Sequence, residues 1–381
     1  MSKVLEDNKL WIDETWSKID KKFSQVTIRS RYKLPYGTVD GVHDDCSVRN
    51  INGWTNGFWG ALNWLLYVGT GNEEYKTTAL CSEKIMDKAL GNYKELFHDV
   101  GFMWHILAGA NYRLTGDMTA CNKNLFAAAS LFSRYNVDGG YIRAWNEKFA
   151  ETWTIIDCMM NLPLLYWADK EIGDDRFSKI AIRHADMTLR DHVREDGSVI
   201  HIVEHDKLTG EKVKVHAGQG YSDTSCWSRG QAWAVYGMVL SYIHTKKERY
   251  LEAAIQTADY FISHCEKTAY LPVIDFMAPE KPVYYDSTAG VCTACGLLEL
   301  AKIVEDNEAE KYREAAIRIL KAIDTEFCDY SEQTDSIVTM GSARYPRNEE
   351  ELQIIHVPII YGDFFFVEAL LKLKEVDFLI W

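Results

Sequence analysis

Two aspartates stand where a carboxyl is unusual. Asp157 interrupts the apolar run of Ile155, Ile156, Met159 and Met160. A lone acid there is expected to lose most of its water, which favours the protonated form that a proton donor needs. A satisfied buried acid is the plainer alternative. Asp99 follows His98 in HDVGFM, at the head of a second apolar segment. By position alone it is equally a helix N-cap. Asp286 and Asp363 hold equivalent positions further on and read as caps.

The stretch HAGQGYSDTSCWSRGQAW (216–233) supplies groups of a different kind. Tyr221, Trp227 and Trp233 are flat apolar platforms, and Gln219, Gln231, Arg229 and His216 are planar polar groups. Ala217, Gly218, Gly220 and Gly230 let the backbone approach closely. Together they suit a wall that holds a sugar ring carrying an anionic substituent. Trp54, Asn56, Trp59, Trp145, His98 and His201 fall in corresponding segments. For each histidine a structural hydrogen bond is the ordinary role.

Six repeated segments must position these residues. Apolar stretches rich in small residues recur at 53–69, 98–116, 153–173, 226–243, 286–304 and 359–376. Each of the first five passes through a short polar turn into an amphipathic helix, as in ERYLEAAIQTADYFISHC. The sixth ends the chain, so its partner is expected to be the N-terminal helix Leu5–Phe23. The pattern predicts an all-α fold of twelve helices in six hairpins, closed as an (α/α)6 barrel in one domain over 1–381. An open solenoid would need polar outer faces on its end repeats, and these segments lack them.

Long connections precede the apolar helices, so they gather at one end of the barrel. There the helix N-termini favour an anion. The loop before the fourth inner helix carries SVIHIVEHD and KVKV around turn signals, which predicts a small β-hairpin. Pro163 implies that the third inner helix is kinked or begins late.

A formal charge of −14 argues against nucleic acid or an anionic membrane as partner. No apolar run approaches the ~20 residues that span a bilayer. Nine scattered cysteines and a start without an apolar signal core point to the cytoplasm. Cys292 and Cys295 form an isolated pair, better suited to close helix packing than to zinc. No metal-ligand spacing, dinucleotide fingerprint or nucleophile elbow is present, so neither metal nor cofactor is expected.

The motifs HDVGF (98–102), WTIIDCMMN (153–161) and GQGY with WSRGQAW (218–233) are similar to those of the unsaturated glucuronyl hydrolases, glycoside hydrolase family 88. DSTA (286–289) and YGDFFF (361–366) extend the resemblance, which runs from about Trp54 to the C-terminus. It implies an (α/α)6 barrel acting on unsaturated uronic-acid disaccharides or oligosaccharides left by polysaccharide lyases. It implies hydration of the C4=C5 double bond, with Asp157 as general acid/base and Asp99 stabilising charge at C5. Gln219 and Arg229 would lie near the uronate carboxylate and water. His98 and Trp54 would sit in the same pocket. His201 and Trp145 would line the first subsite, and Trp227 and Trp233 would stack.

The last long loop reads TMGSARYPRN and lacks the full Ser/Lys pattern of members that prefer sulfated substrates. Ser342, Arg344 and Arg347 are its candidate sulfate contacts. An unsaturated rhamnogalacturonyl hydrolase on pectin fragments and a non-catalytic sugar-binding barrel are the alternative readings. A monomer or weak homo-oligomer is expected.

Overall fold

The computed structural model describes residues 2–381. Its helices are α1 (Lys3–Arg29), the short α2 (Cys46–Arg49), α3 (Phe58–Thr70), α4 (Glu73–Met86), α5 (Ala108–Thr115), α6 (Met118–Phe132) and α7 (Leu162–Ile172). They continue with α8 (Arg176–Asp191), α9 (Ser228–Thr245), α10 (Glu248–Cys265), α11 (Ser287–Leu300), α12 (Asp306–Phe327) and α13 (Ile360–Leu373).

Apart from α2 these helices form the (α/α)6 barrel. The inner ring runs α3, α5, α7, α9, α11, α13 and back to α3, each packing on the next directly or through the turn that precedes it. Every residue of α11 and α13 is buried, as all-round apolar helices must be. The outer helices are one-sided. In α12 the buried set Tyr312, Ala316, Ile319, Leu320 and Ile323 follows the helical period. Asn72 and Asp117 cap α4 and α6 by accepting from the N–H groups of Glu74 and Thr119. Helix α1 packs against α4, α12 and α13, so the chain's beginning closes the ring beside its end.

Two features depart from the expected pattern, and a third, the late start of the third inner helix, is the one that Pro163 implied. The second inner helix opens as a π turn, Gly101–His105, before α5. The third opens later than its apolar pattern suggests, because Trp153–Ile155 is a strand and Ile156–Met160 a 3-10 turn. Pro163 then lies in the first turn of α7, where its missing N–H costs nothing. The tail after α13 also turns inward. Trp381 stacks on Phe365 and packs against Phe102, Phe364 and Tyr236 inside the ring.

Small antiparallel ribbons decorate the loop end: β1 (Thr38–Val39) with β2 (Val42–His43), and β3 (Tyr135–Asn136) with β4 (Tyr141–Ile142). The expected hairpin is β6 (Ile202–His205) with β7 (Lys212–His216), and β5 (Trp153–Ile155) adds to it as a third strand. That pairing draws Trp153–Ile155 out of helix. Single bridges such as Trp227 to Asp275 and Gly341 to Val357 tie the remaining long loops together.

Candidate active site

Asp157 lies in the 3-10 turn that β5 feeds, and its side chain is largely buried. Strand β6 runs beside β5, which brings the His201 Nε2 atom within 3.5 Å of Asp157 Oδ2. Asp99 sits just ahead of the π turn. Its carboxylate makes no helix cap and pairs instead with His98, Nε2 to Oδ1 at 3.0 Å. The other nitrogen, His98 Nδ1, lies 3.0 Å from the Ala144 carbonyl. With oxygens facing both nitrogens, the ring suits the doubly protonated form. Burial alone would push its pKa down, but the Asp99 and Asp157 charges and the Ala144 carbonyl outweigh that, and the net shift is upward.

Each acid therefore has its own histidine, His98 for Asp99 and His201 for Asp157, although the two acids are far apart in sequence. Asn161 fixes their elements to each other. Its Oδ1 accepts from the Phe102 N–H at 2.9 Å, and its Nδ2 donates to the Asp157 carbonyl at 3.3 Å. Gly101 makes this possible, since a Cβ there would stand 2.6 Å from Asn161 Oδ1. Sequence reasoning did not single out Asn161; its signal was one amide inside an apolar inner segment.

The remaining predicted residues divide into pocket and support. Trp54 is partly exposed and packs on Phe58, Phe102 and Tyr361. Trp145 stands edge-on to His98, with ring centres 5.9 Å apart. The Gln219 side chain donates to the Ala343 carbonyl at 2.8 Å, and its backbone N–H reaches His201 Nδ1 at 3.1 Å.

The structure buries three of these residues. Trp233 is 0% exposed among Phe102, Tyr361 and Phe365, so it forms floor and offers no stacking face. Trp227 is likewise buried, lying against the His201 ring at 4.3 Å and under the Arg229 guanidinium at 4.4 Å. Arg229 is itself buried and paired with Asp286, and it donates to the Ser342 and Ala343 carbonyls. Its charge serves the loop framework more directly than an open pocket.

Others in the 216–233 stretch are also structural. His216 pairs with Glu204 and stacks on Trp153. Gln231 donates to the Gly197 and Thr257 carbonyls. Asp286 caps α11, as expected. Asp363 does not cap a helix; it accepts the N–H groups of Ile337 and Val338 and pins the last long loop. On that loop Ser342 is buried and donates to the Tyr285 carbonyl, whereas Arg347 reaches the Gly218 carbonyl at 2.7 Å. Arg344 keeps 43% of its side chain exposed beside them. Cys292 and Cys295 are buried within α11.

The arrangement can donate a proton from a shielded carboxyl, hold a second acid beside a buried imidazole, and present aromatic edges to a ring-shaped substrate. Comparison with known proteins is consistent with that chemistry. The model of Glycosyl Hydrolase Family 88 matches residues 36–242. The unsaturated glucuronyl hydrolase of Bacillus sp. strain GL1 is 33% identical over 339 residues, covering 84% of this chain and 86% of that protein. The unsaturated chondroitin disaccharide hydrolase of Streptococcus pneumoniae is 29% identical over 387 residues, covering 100% and 96%. An aspartate-to-asparagine mutant of the Streptococcus agalactiae unsaturated glucuronyl hydrolase, solved with dGlcA-GalNAc6S, superposes with a TM-score of 0.81 at 27% identity, over 97% of this chain and 94% of that one.

Proposed function

This chain belongs to glycosyl hydrolase family 88, and on that premise we propose that it is an unsaturated glucuronyl hydrolase acting on lyase-generated glycosaminoglycan fragments. It releases the terminal 4,5-unsaturated glucuronic acid from the non-reducing end. Asp157 gives its proton to C4 of the vinyl ether, and the π electrons of C4=C5 form the new C–H bond. Positive charge develops at C5 and the ring oxygen, where the Asp99 carboxylate stabilises it. Water adds at C5 and returns a proton to Asp157. The hemiketal then opens, expelling the remaining sugar.

The observation that carries this reading is that each acid is seated against a buried histidine, Asp99 on His98 and Asp157 on His201, with Asn161 tying their elements together and Trp145 edge-on to His98. Because the double bond is hydrated and the anomeric carbon is not attacked, the spacing rule for paired glycosidase carboxylates does not apply. Arg344, beside Glu351, and Arg347, against the Gly218 carbonyl, add positive charge to the last long loop, which suits an anionic fragment as substrate. Nine unpaired cysteines support work in a reducing cytoplasm.

Unsaturated uronates absorb in the near ultraviolet. Incubation with unsaturated chondroitin or hyaluronan disaccharides should bleach that absorbance and release a free sugar. No loss of absorbance with any unsaturated glucuronyl disaccharide would overturn the proposal.

A further inference from the structure

His201 is held in a setting that treats its two tautomers alike. Its Nδ1 atom lies 2.9 Å from the Ala217 carbonyl oxygen and 3.1 Å from the Gln219 nitrogen. The first is an acceptor and the second a donor, so Nδ1 finds a backbone partner whether or not it carries hydrogen. Gly218 creates this cradle. Its φ is +58°, and a Cβ there would stand 2.3 Å from His201 Nδ1. Trp227 covers the ring at 4.3 Å, so the imidazole is held in place. At the far side, His201 Nε2 and Asp157 Oδ2 face each other at 3.5 Å. Among the described residues, neither atom has any hydrogen-bond partner.

We propose that His201 is a tautomer-switching positioning residue for the catalytic acid. While Asp157 is protonated, its O–H points at an unprotonated Nε2, and Nδ1–H donates to the Ala217 carbonyl. When Asp157 is ionised, Nε2–H donates to the carboxylate, and Nδ1 accepts from the Gln219 N–H. Between the two states Asp157 passes its proton to Nε2 and Nδ1 gives its proton to solvent. The pair thus releases one proton in total, and the ring is neutral at both ends. A fixed donor at Nε2 would stabilise only the carboxylate and would leave Asp157 ionised, without the proton it must deliver. An amphoteric cradle at Nδ1 removes that bias.

The titratable and charged groups around the pair are the His98–Asp99 couple ahead of α5, Arg229 on α9, the His192 imidazole behind β6, which burial keeps neutral, and the Cys158 thiol beside Asp157. His98 and Arg229 each have a carboxylate partner of their own in Asp99 and Asp286. Neither nitrogen of His201 is engaged by a charged group other than Asp157.

The inference rests on Asp157 being the acid, but its central test needs no substrate. Ring-nitrogen NMR on enzyme labelled with ¹⁵N-histidine, with the His201 signals identified by their loss in His201→Asn, reports the tautomer directly. The expected result is Nδ1–H at low pH and Nε2–H at high pH, with no imidazolium between, and no switch in Asp157→Asn. One tautomer throughout, an imidazolium, or a switch that survives Asp157→Asn would each overturn it.

A kinetic test is independent of the spectra. The shorter amide of His201→Asn still reaches the backbone cradle but not Asp157. It should lower kcat by about tenfold or more, with KM little changed. It should also move the alkaline limb of kcat/KM to higher pH, because a buried carboxylate that has lost its Nε2–H donor is harder to ionise. A limb that stays in place would reduce His201 to a packing residue.

Discussion

Arg229 and Asp286 form an ion pair that solvent scarcely reaches, their side chains 1% and 0% exposed. The pair joins α9 to the start of α11. Through the Ser342 and Ala343 carbonyls it also fastens the last long loop, which holds Gln219 in turn. Removing one partner leaves a buried charge uncompensated, which typically costs about 3–5 kcal/mol. Asp286→Ala should therefore lower unfolding stability by an amount of that order in a urea titration. Arg229→Lys should rescue little, because a point charge cannot reproduce the forked contacts. Unchanged stability with lost substrate binding would return Arg229 to the pocket.

Replacing the acid separates chemistry from folding. Asp157→Asn keeps the volume of the side chain and removes the transferable proton. Its kcat should fall by about 10²–10⁴-fold, the usual worth of a positioned general acid, while the melting temperature stays near that of the native chain. A variant that retains most of its rate would show the proton coming from elsewhere.

Gly101 links the two acids through Asn161 without contacting substrate. A methyl group at residue 101 must displace Asn161, since the added Cβ would lie 2.6 Å from its Oδ1 and 2.9 Å from its Cα. Gly101→Ala should reduce kcat more than it raises KM, as misaligned catalytic groups do. Steady-state kinetics on an unsaturated disaccharide decide this, and an unchanged kcat would mean that the inner helices shift together.

Asp363 gives a pH signature away from the pocket. Burial drives its carboxyl up to about 7 from an ordinary 3.8, although two backbone N–H groups and Lys22 pull the other way. The folded state holds this proton more tightly than the unfolded chain does. Its contribution to stability therefore falls as pH rises from about 4 to about 7 and is level above that. Asp363→Asn cannot ionise, so its melting temperature relative to the native chain should climb between about pH 4 and pH 7 and then level off. A constant difference across that range would show that Asp363 does not titrate there.

The helical pairs were legible in the chain because burial on all sides and burial on one side leave different patterns, as in α11 and α12. The two acids were legible for a related reason: a carboxyl inside an apolar run needs an explanation. Partners were not. Spacing cannot say that β5 would leave the helical pattern to join β6, and that pairing is what sets Asp157 against His201. Nor can it say that Arg229 would find Asp286, or that Trp233 would turn into the floor beside Phe365. Local periodicity records how much of a segment is buried, so the sequence by itself determined the barrel and its mouth. Which polar group each buried side chain meets depends on contacts between distant segments, and only the closed ring of helices decided those.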